Sequence, residues 1–172
     1  MPAVSMESAG LDDFDSFFAS HYPTLARLLY RVVGDFQTAE ELAAEAFWKL
    51  HSKPPGSDRN TFGWLYRAGL RLALDSLRKR RRRSHYEARS EAPAAPRSPF
   101  ETAQDRERRE RIRHALASLK PDQVSMLILR SEGYSLAEIA SMLSLNPGSV
   151  GTLLARADVA LRKEYLRLYG HE

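Results

Sequence analysis

From Trp64 onward an aromatic ring is followed by guanidiniums three or four residues apart: Arg67, Arg71 and, beyond Asp75, Arg78. On a helix this spacing lines a single face. Rings stack on unpaired bases while guanidiniums hold phosphates, so the pattern suits a single nucleic-acid strand. Phe62, Trp64 and Tyr66 cluster at the start of the stretch, after residues 57–61, which read as a flexible loop. The competing reading makes Trp64 and Tyr66 core residues and the arginines a solvated face. The run Arg78-Lys79-Arg80-Arg81-Arg82-Arg83 is a phosphate-binding patch, although localisation signals and solvated tails look similar.

A second constellation lies in the last third, over residues 119–169, which reads as two short helices joined by a tight turn. Ser135-Leu136-Ala137-Glu138 is a capping box, with Leu136, Ile139, Ala140 and Leu143 at helical spacing behind it. Asn146 then offers an N-cap and Pro147 a first helical position, where a missing N–H costs nothing. The helix that follows buries Val150, Leu153, Leu154, Ala157 and Leu161. Such a pair forms a helix-turn-helix, whose second helix fits a DNA major groove. An ordinary helical hairpin carries the same local signals.

No constellation for catalysis is visible. The histidines at 21, 51, 85, 114 and 171 are scattered, with no pair on one helix face to hold a metal. There is no phosphate-cradling glycine loop and no nucleophile elbow. Neither metal nor cofactor is expected, and the chain reads as a binding protein. Its 172 residues contain no cysteine, so no disulfide framework or thiolate site exists. No apolar run approaches the ~18 residues of a membrane span, and the first residues lack the pattern of a signal peptide. A soluble, cytoplasmic protein is expected, without membrane insertion.

Charge is segregated along the chain. Residues 1–52 hold eight acidic and three basic residues, whereas residues 59–83 hold nine basic and one acidic. The net charge of +4 favours a polyanionic partner, and the asymmetry points to one surface for protein and another for nucleic acid. Residues 84–104, with prolines at 93, 96 and 99, show no apolar periodicity and read as a flexible Pro/Ala-rich linker. The expected architecture is all-α: two small helical domains, residues 10–83 and 105–170, the second a helix-turn-helix. In the first, an apolar stripe from Phe14 to Val32 should kink or restart at Pro23. Gly34 fits a helix C′ position, and Thr38-Ala39-Glu40-Glu41 offers another capping box. The helix it opens carries Leu42, Ala43, Ala46, Phe47 and Leu50 until Pro54, Pro55 and Gly56 break it. A last helix runs from about Phe62 into the basic run.

These elements, in this order, resemble the small bacterial sigma factors of the extracytoplasmic-function (ECF) group of the sigma-70 family. The family's Gly-Asp, then Ala-Glu-Asp/Glu-Leu, stands here as Gly34-Asp35 and Ala39-Glu40-Glu41-Leu42, with Glu45 and Phe47 following. Its Trp-Leu-Tyr-Arg, Leu-Ala-x-Asp and basic ending stand as Trp64-Leu65-Tyr66-Arg67, Leu72-Ala73-Leu74-Asp75 and the run from Arg78. In the second domain Tyr134-Ser135-Leu136-Ala137-Glu138-Ile139-Ala140, Gly148-Ser149-Val150 and Arg156-Ala157 match further family elements.

The resemblance implies a promoter-specificity subunit without catalytic activity. Its partners would be RNA polymerase core, promoter DNA as duplex and melted strand, and, in the manner of the group, an anti-sigma factor. Asp35, Glu40, Glu41, Glu45, Phe47 and Leu50 would dock on core. Asn60, Phe62, Trp64, Tyr66, Arg67, Arg71, Arg78 and Lys79 would melt and capture the −10 element. Ser135, Asn146, Ser149, Thr152 and Arg156 would bind the −35 element, and the linker would thread toward the RNA exit path. The chain departs from the pattern at Arg71, where Asn is usual, and at Ser76, often aromatic. Gly151, Leu153 and Ala155 replace the Lys, Arg and His usual in the recognition helix, removing donors that would read guanine edges. Two alternatives stay open: a stand-alone helix-turn-helix regulator independent of core, and a sigma-like protein that has lost −35 readout.

Overall fold

The computed structural model describes residues 11–56, 60–86 and 102–170. Among them every regular element is a helix: α1 (Leu11–Val33), α2 (Phe36–Ser52), α3 (Thr61–Tyr86), α4 (Ala103–Leu116), α5 (Pro121–Ser131), α6 (Leu136–Leu143) and α7 (Pro147–Tyr169). The all-α expectation holds. Most of the expected linker, and the tip of the loop before Asn60, lie outside the described residues.

In α1 the apolar stripe buries Leu25, Leu28, Leu29 and Val32. The helix passes through Pro23 without restarting, which removes one of the two outcomes expected there. The carbonyl deprived of a donor there belongs to Ala19, an exposed residue, so water can satisfy it. Gly34 ends the helix as read: its φ of +74° is a conformation that glycine adopts without cost, and its N–H bonds Tyr30 O at 2.8 Å. The cap of α2, in contrast, is Asp35, whose carboxylate accepts from Thr38 N at 2.8 Å. Thr38 is thus the third helical residue and not the N-cap, and α2 starts about a turn earlier than the sequence suggested.

The second domain holds two helices that the apolar pattern did not separate. Thr102 and Asp105 form a capping box for α4, and Pro121 opens α5. Between α6 and α7 the turn rests on Ser144, at φ 52° the one positive-φ residue other than glycine among the described residues. Both ends of the expected linker are helical, since α3 continues to Tyr86 and α4 begins at Ala103.

The two domains share one apolar cluster. Leu65, Leu70, Leu74 and Leu77 of α3 join Leu25 and Leu29 of α1, and the cluster continues into Leu116, Val124, Leu129, Ile139 and Leu143. Ion pairs flank it: Glu132, just after α5, meets Arg27 at 3.3 Å and Arg31 at 2.5 Å, and Arg80 meets Glu110 at 3.6 Å.

Candidate nucleic-acid interface

Helix α3 places the expected strand-binding residues unequally. Asn60 caps it, with Oδ1 accepting from Gly63 N at 3.1 Å while Nδ2 donates to Ser141 O at 3.0 Å. Phe62 is half-buried, its ring 4.8 Å from that of His21, and Trp64 is half-buried against the core. Tyr66 is a correction. It is wholly buried, with its hydroxyl donating to Ser125 O at 3.0 Å, so stacking on a base is closed to it here. The physical reason is the helical period: Tyr66 shares the inward stripe of Leu65, Gly69, Leu70, Ala73 and Leu77, away from Trp64. Burial pushes its phenol well above the ordinary tyrosine range.

The cations divide similarly. Arg71 and Lys79 are exposed. Arg67 donates to Leu143 O, and Arg78 donates to Ala117 O at 3.0 Å and Leu119 O at 3.1 Å. Arg81 reaches Ser118 Oγ at 2.9 Å and His114 O at 3.4 Å. Arg78, Arg81, Arg82, His85, Tyr86 and His114 line a basic cleft of about 620 Å³. Its His114 is held neutral to lower pH than usual by burial, with Nδ1 2.9 Å from Tyr169 Oη.

On α2 the expected docking residues fall on both sides of the helix. Glu41 and Glu45 are exposed, accepting from Gln37 at 3.1 Å and pairing with Lys49 at 3.3 Å. Glu40 is half-buried, and its carbonyl accepts from Tyr22 Oη at 3.2 Å. Asp35 is engaged as the cap, and the Thr38 hydroxyl and amide hold its carboxyl below the usual range. Phe47 and Leu50 correct the expectation: at 2% and 0% exposure they belong to the core. Residues 39, 43, 46, 47 and 50 share the inward face, leaving Trp48 outside. Trp48 is 68% exposed and Phe36 56% exposed, two aromatics that the sequence reading passed over. The signal was available, because adjacent rings on one helix lie about 100° apart and cannot both face a core.

The helix-turn-helix forms as read. Ser135 accepts from Glu138 N at 3.2 Å while Glu138 accepts from Ser135 N at 2.7 Å. Those bonds hold the Glu138 carboxyl below its usual range. Asn146 caps α7, accepting from Gly148 N at 2.8 Å, and Ser149 Oγ donates back to Asn146 O at 2.9 Å. Gly151, Thr152, Ala155 and Arg156 present an open face, and Leu153 is half-buried. Of the three unusual recognition-helix residues, two therefore lie on the solvent face. The described residues contain no cluster of three metal-ligating side chains and no helix long and apolar enough to cross a membrane.

The domain pattern has counterparts among known proteins. The family model of sigma-70 region 2 matches residues 17–83, and that of sigma-70 region 4 matches residues 109–160. The chain is an ECF sigma factor of the sigma-70 family. Among its relatives, the ECF RNA polymerase sigma factor SigE of Mycolicibacterium smegmatis is 30% identical over 96% of this chain and 66% of its own length. RNA polymerase sigma factor CarQ of Myxococcus xanthus is 28% identical, with 88% of each chain covered. ECF RNA polymerase sigma factor SigW of Bacillus subtilis is 26% identical, with 89% of each covered. The fold is shared with the sigma factor RpoE of Bartonella quintana, solved in complex with the anti-sigma factor NepR: the TM-score is 0.52 at 19% identity, over 92% of this chain and 99% of that one. An ECF sigma factor serves RNA polymerase in promoter recognition, and the region 2 match falls on α1–α3 and the region 4 match on α4–α7.

Proposed function

We propose that the chain docks on RNA polymerase core through the outer face of α2, captures the melted −10 strand on α3 and binds the −35 element through α7. The observation that carries this reading is the division of surfaces. Exposed Glu41, Glu45 and Trp48 occupy one helix, and the aromatic and guanidinium line from Trp64 to Arg78 occupies another. A ring that stacks on any base, beside cations that hold phosphates, suits a strand opened from duplex. On α7 the short hydroxyls of Ser149 and Thr152, with Arg156, remain for the duplex, and Asn146 and the helix N-terminus face a phosphate. An anti-sigma factor, of the kind bound by the Bartonella protein, would compete for these same surfaces. A stand-alone regulator would have no use for an acidic face bearing exposed aromatics.

In vitro transcription with purified core and a library of genomic fragments tests the proposal. Transcripts that need both core and this chain, and that start at defined sites, are the expected result. Binding of duplex DNA without any core-dependent transcript would overturn it in favour of a stand-alone regulator.

A further inference from the structure

Helix α7 presents an outward surface unlike that of α3. Thr152, Ala155 and Val159 follow one another at three- and four-residue spacing and form one line on its open side, with Val159 68% exposed. Gly148 and Gly151 are exposed beside them at the start of the helix. Leu136, the first residue of α6, reaches the same line. A Cβ at position 151 would lie 3.8 Å from Leu136 Cδ1, in ordinary contact, and with no side chain there Leu136 stays 40% exposed.

Long donors are missing from the centre of this face. Bidentate pairs to guanine need Arg or Lys, and those to adenine need Asn or Gln; none stands at 148, 151, 152 or 155. Ser149 donates its hydroxyl hydrogen internally, to Asn146 O at 2.9 Å. Cations keep to the margins. Arg156 and Lys163 are exposed on one side of the line and Arg162 on the other, while Asp158 turns into the groove against α4. Apolar groups rimmed by cations fit a duplex groove, where phosphates lie at the edges and base edges at the floor. On that floor thymine offers an apolar group, its C5 methyl, which Ala, the Thr methyl and larger apolar side chains contact.

We infer that Leu136, Thr152 and Ala155 read thymine methyls in the major groove, so that the duplex element bound by α7 is marked by thymines where these three side chains meet it. The assignment rests on the reading of α7 as the duplex-binding helix. Arg162 and Lys163 hold flanking phosphates and add affinity without regard to sequence. Losing a methyl leaves no polar group unpaired, so each position discriminates modestly and selectivity comes from several together.

The test uses holoenzyme, the full chain bound to core, selecting from a pool of random-sequence duplexes. Gly151→Lys fits without strain, since the added Cβ meets only Leu136 at ordinary contact, and it both covers Leu136 and supplies a donor. The enriched block that changes with this substitution, gaining guanine, is the one that α7 reads. With the wild-type chain, thymine should dominate that block at the contacted positions. Deoxyuridine in place of each such thymine removes only the methyl and should weaken binding about fourfold per position. Leu136→Ala should reduce the difference to less than about twofold at one of them. Each comparison is made within one variant, so any loss of stability cancels. A responding block in which deoxyuridine binds as tightly as thymine, or a thymine preference that Leu136→Ala leaves whole, would overturn the inference alone. A pool with no block that responds to Gly151→Lys would overturn the reading of α7 as a duplex-binding helix as well.

Discussion

Replacing Phe47 by alanine removes a ring that is 2% exposed and surrounded by aromatics. Its centroid lies 6.3 Å from that of Phe14, 6.1 Å from Phe17, 4.7 Å from Phe18 and 6.1 Å from Tyr22. Truncating a buried phenylalanine costs about 3–5 kcal/mol, and lost edge-to-face pairs push the value toward the upper end. For a chain of this size each kcal/mol lowers Tm by about 2–4 °C, so Phe47→Ala should melt about 10 °C or more below the parent. Its neighbour Trp48, 68% exposed, should behave oppositely. Trp48→Ala should shift Tm by no more than about 2 °C, as surface changes stay within ~0.5 kcal/mol. If it anchors the docking face, it should weaken core binding by ~2 kcal/mol or more, a factor of about 30. Thermal melts followed by circular dichroism, with titration of labelled core, read both quantities. A Phe47→Ala chain with unchanged Tm and lost core binding would refute the reasoning, as would a Trp48→Ala chain that melts early.

Trp64→Ala should slow promoter opening more than it weakens duplex binding, since stacking requires an unpaired base; permanganate reactivity equal to the parent at the melted thymines would return Trp64 to a packing role. Arg156→Ala should either relax preference at one position of sequences selected from a random pool, losing ~1–3 kcal/mol of discrimination, or weaken all sequences alike with a shallower salt dependence. Selection that the substitution leaves unchanged would remove Arg156 from the DNA surface. Asp35 and Glu138 are held below the usual carboxylate range by their capping bonds, so the stability they contribute is complete above their unfolded pKa values and is lost as pH falls through the folded ones. Helicity should therefore stay level from neutral pH to about 5 and decline below about 4, less steeply in the Asp35→Asn, Glu138→Gln double variant. An identical acid transition in that variant would assign the loss to other carboxylates.

How much of this was readable in advance depended on whether the physics was local. Ser135 with Glu138, and Asn146 with Pro147, each place cap and partner within four residues, and both caps form as expected. Gly34 was legible for the same reason. Asp35 and Thr38 competed for one cap within a single turn, and hydrogen bonding chose the earlier. Whether Pro23 restarts its helix depends on whether Ala19 reaches water, a tertiary fact that the sequence does not show. The stripe through Leu65, Tyr66 and Leu70 shows why composition alone grouped Tyr66 with Trp64, although the helical period separates them. Least visible was the meeting of the two domains. Arg67 and Arg78 end on carbonyls of Leu143, Ala117 and Leu119, and a main-chain acceptor leaves no mark in the identity of its residue.

The single apolar cluster that runs through both halves also governs how long the free chain lasts. A domain of about 70 residues buries only ~60% of the surface that its unfolded chain exposes, so each half by itself is marginal. Closed, the halves lend each other Leu65, Leu74, Val124 and Leu143, and should unfold as one cooperative unit. Parted, they must stand alone, and the fraction transiently unfolded rises. Proteases act on that fraction, so degradation follows its population. A chain that opens with no polymerase to receive it is therefore the form most rapidly destroyed.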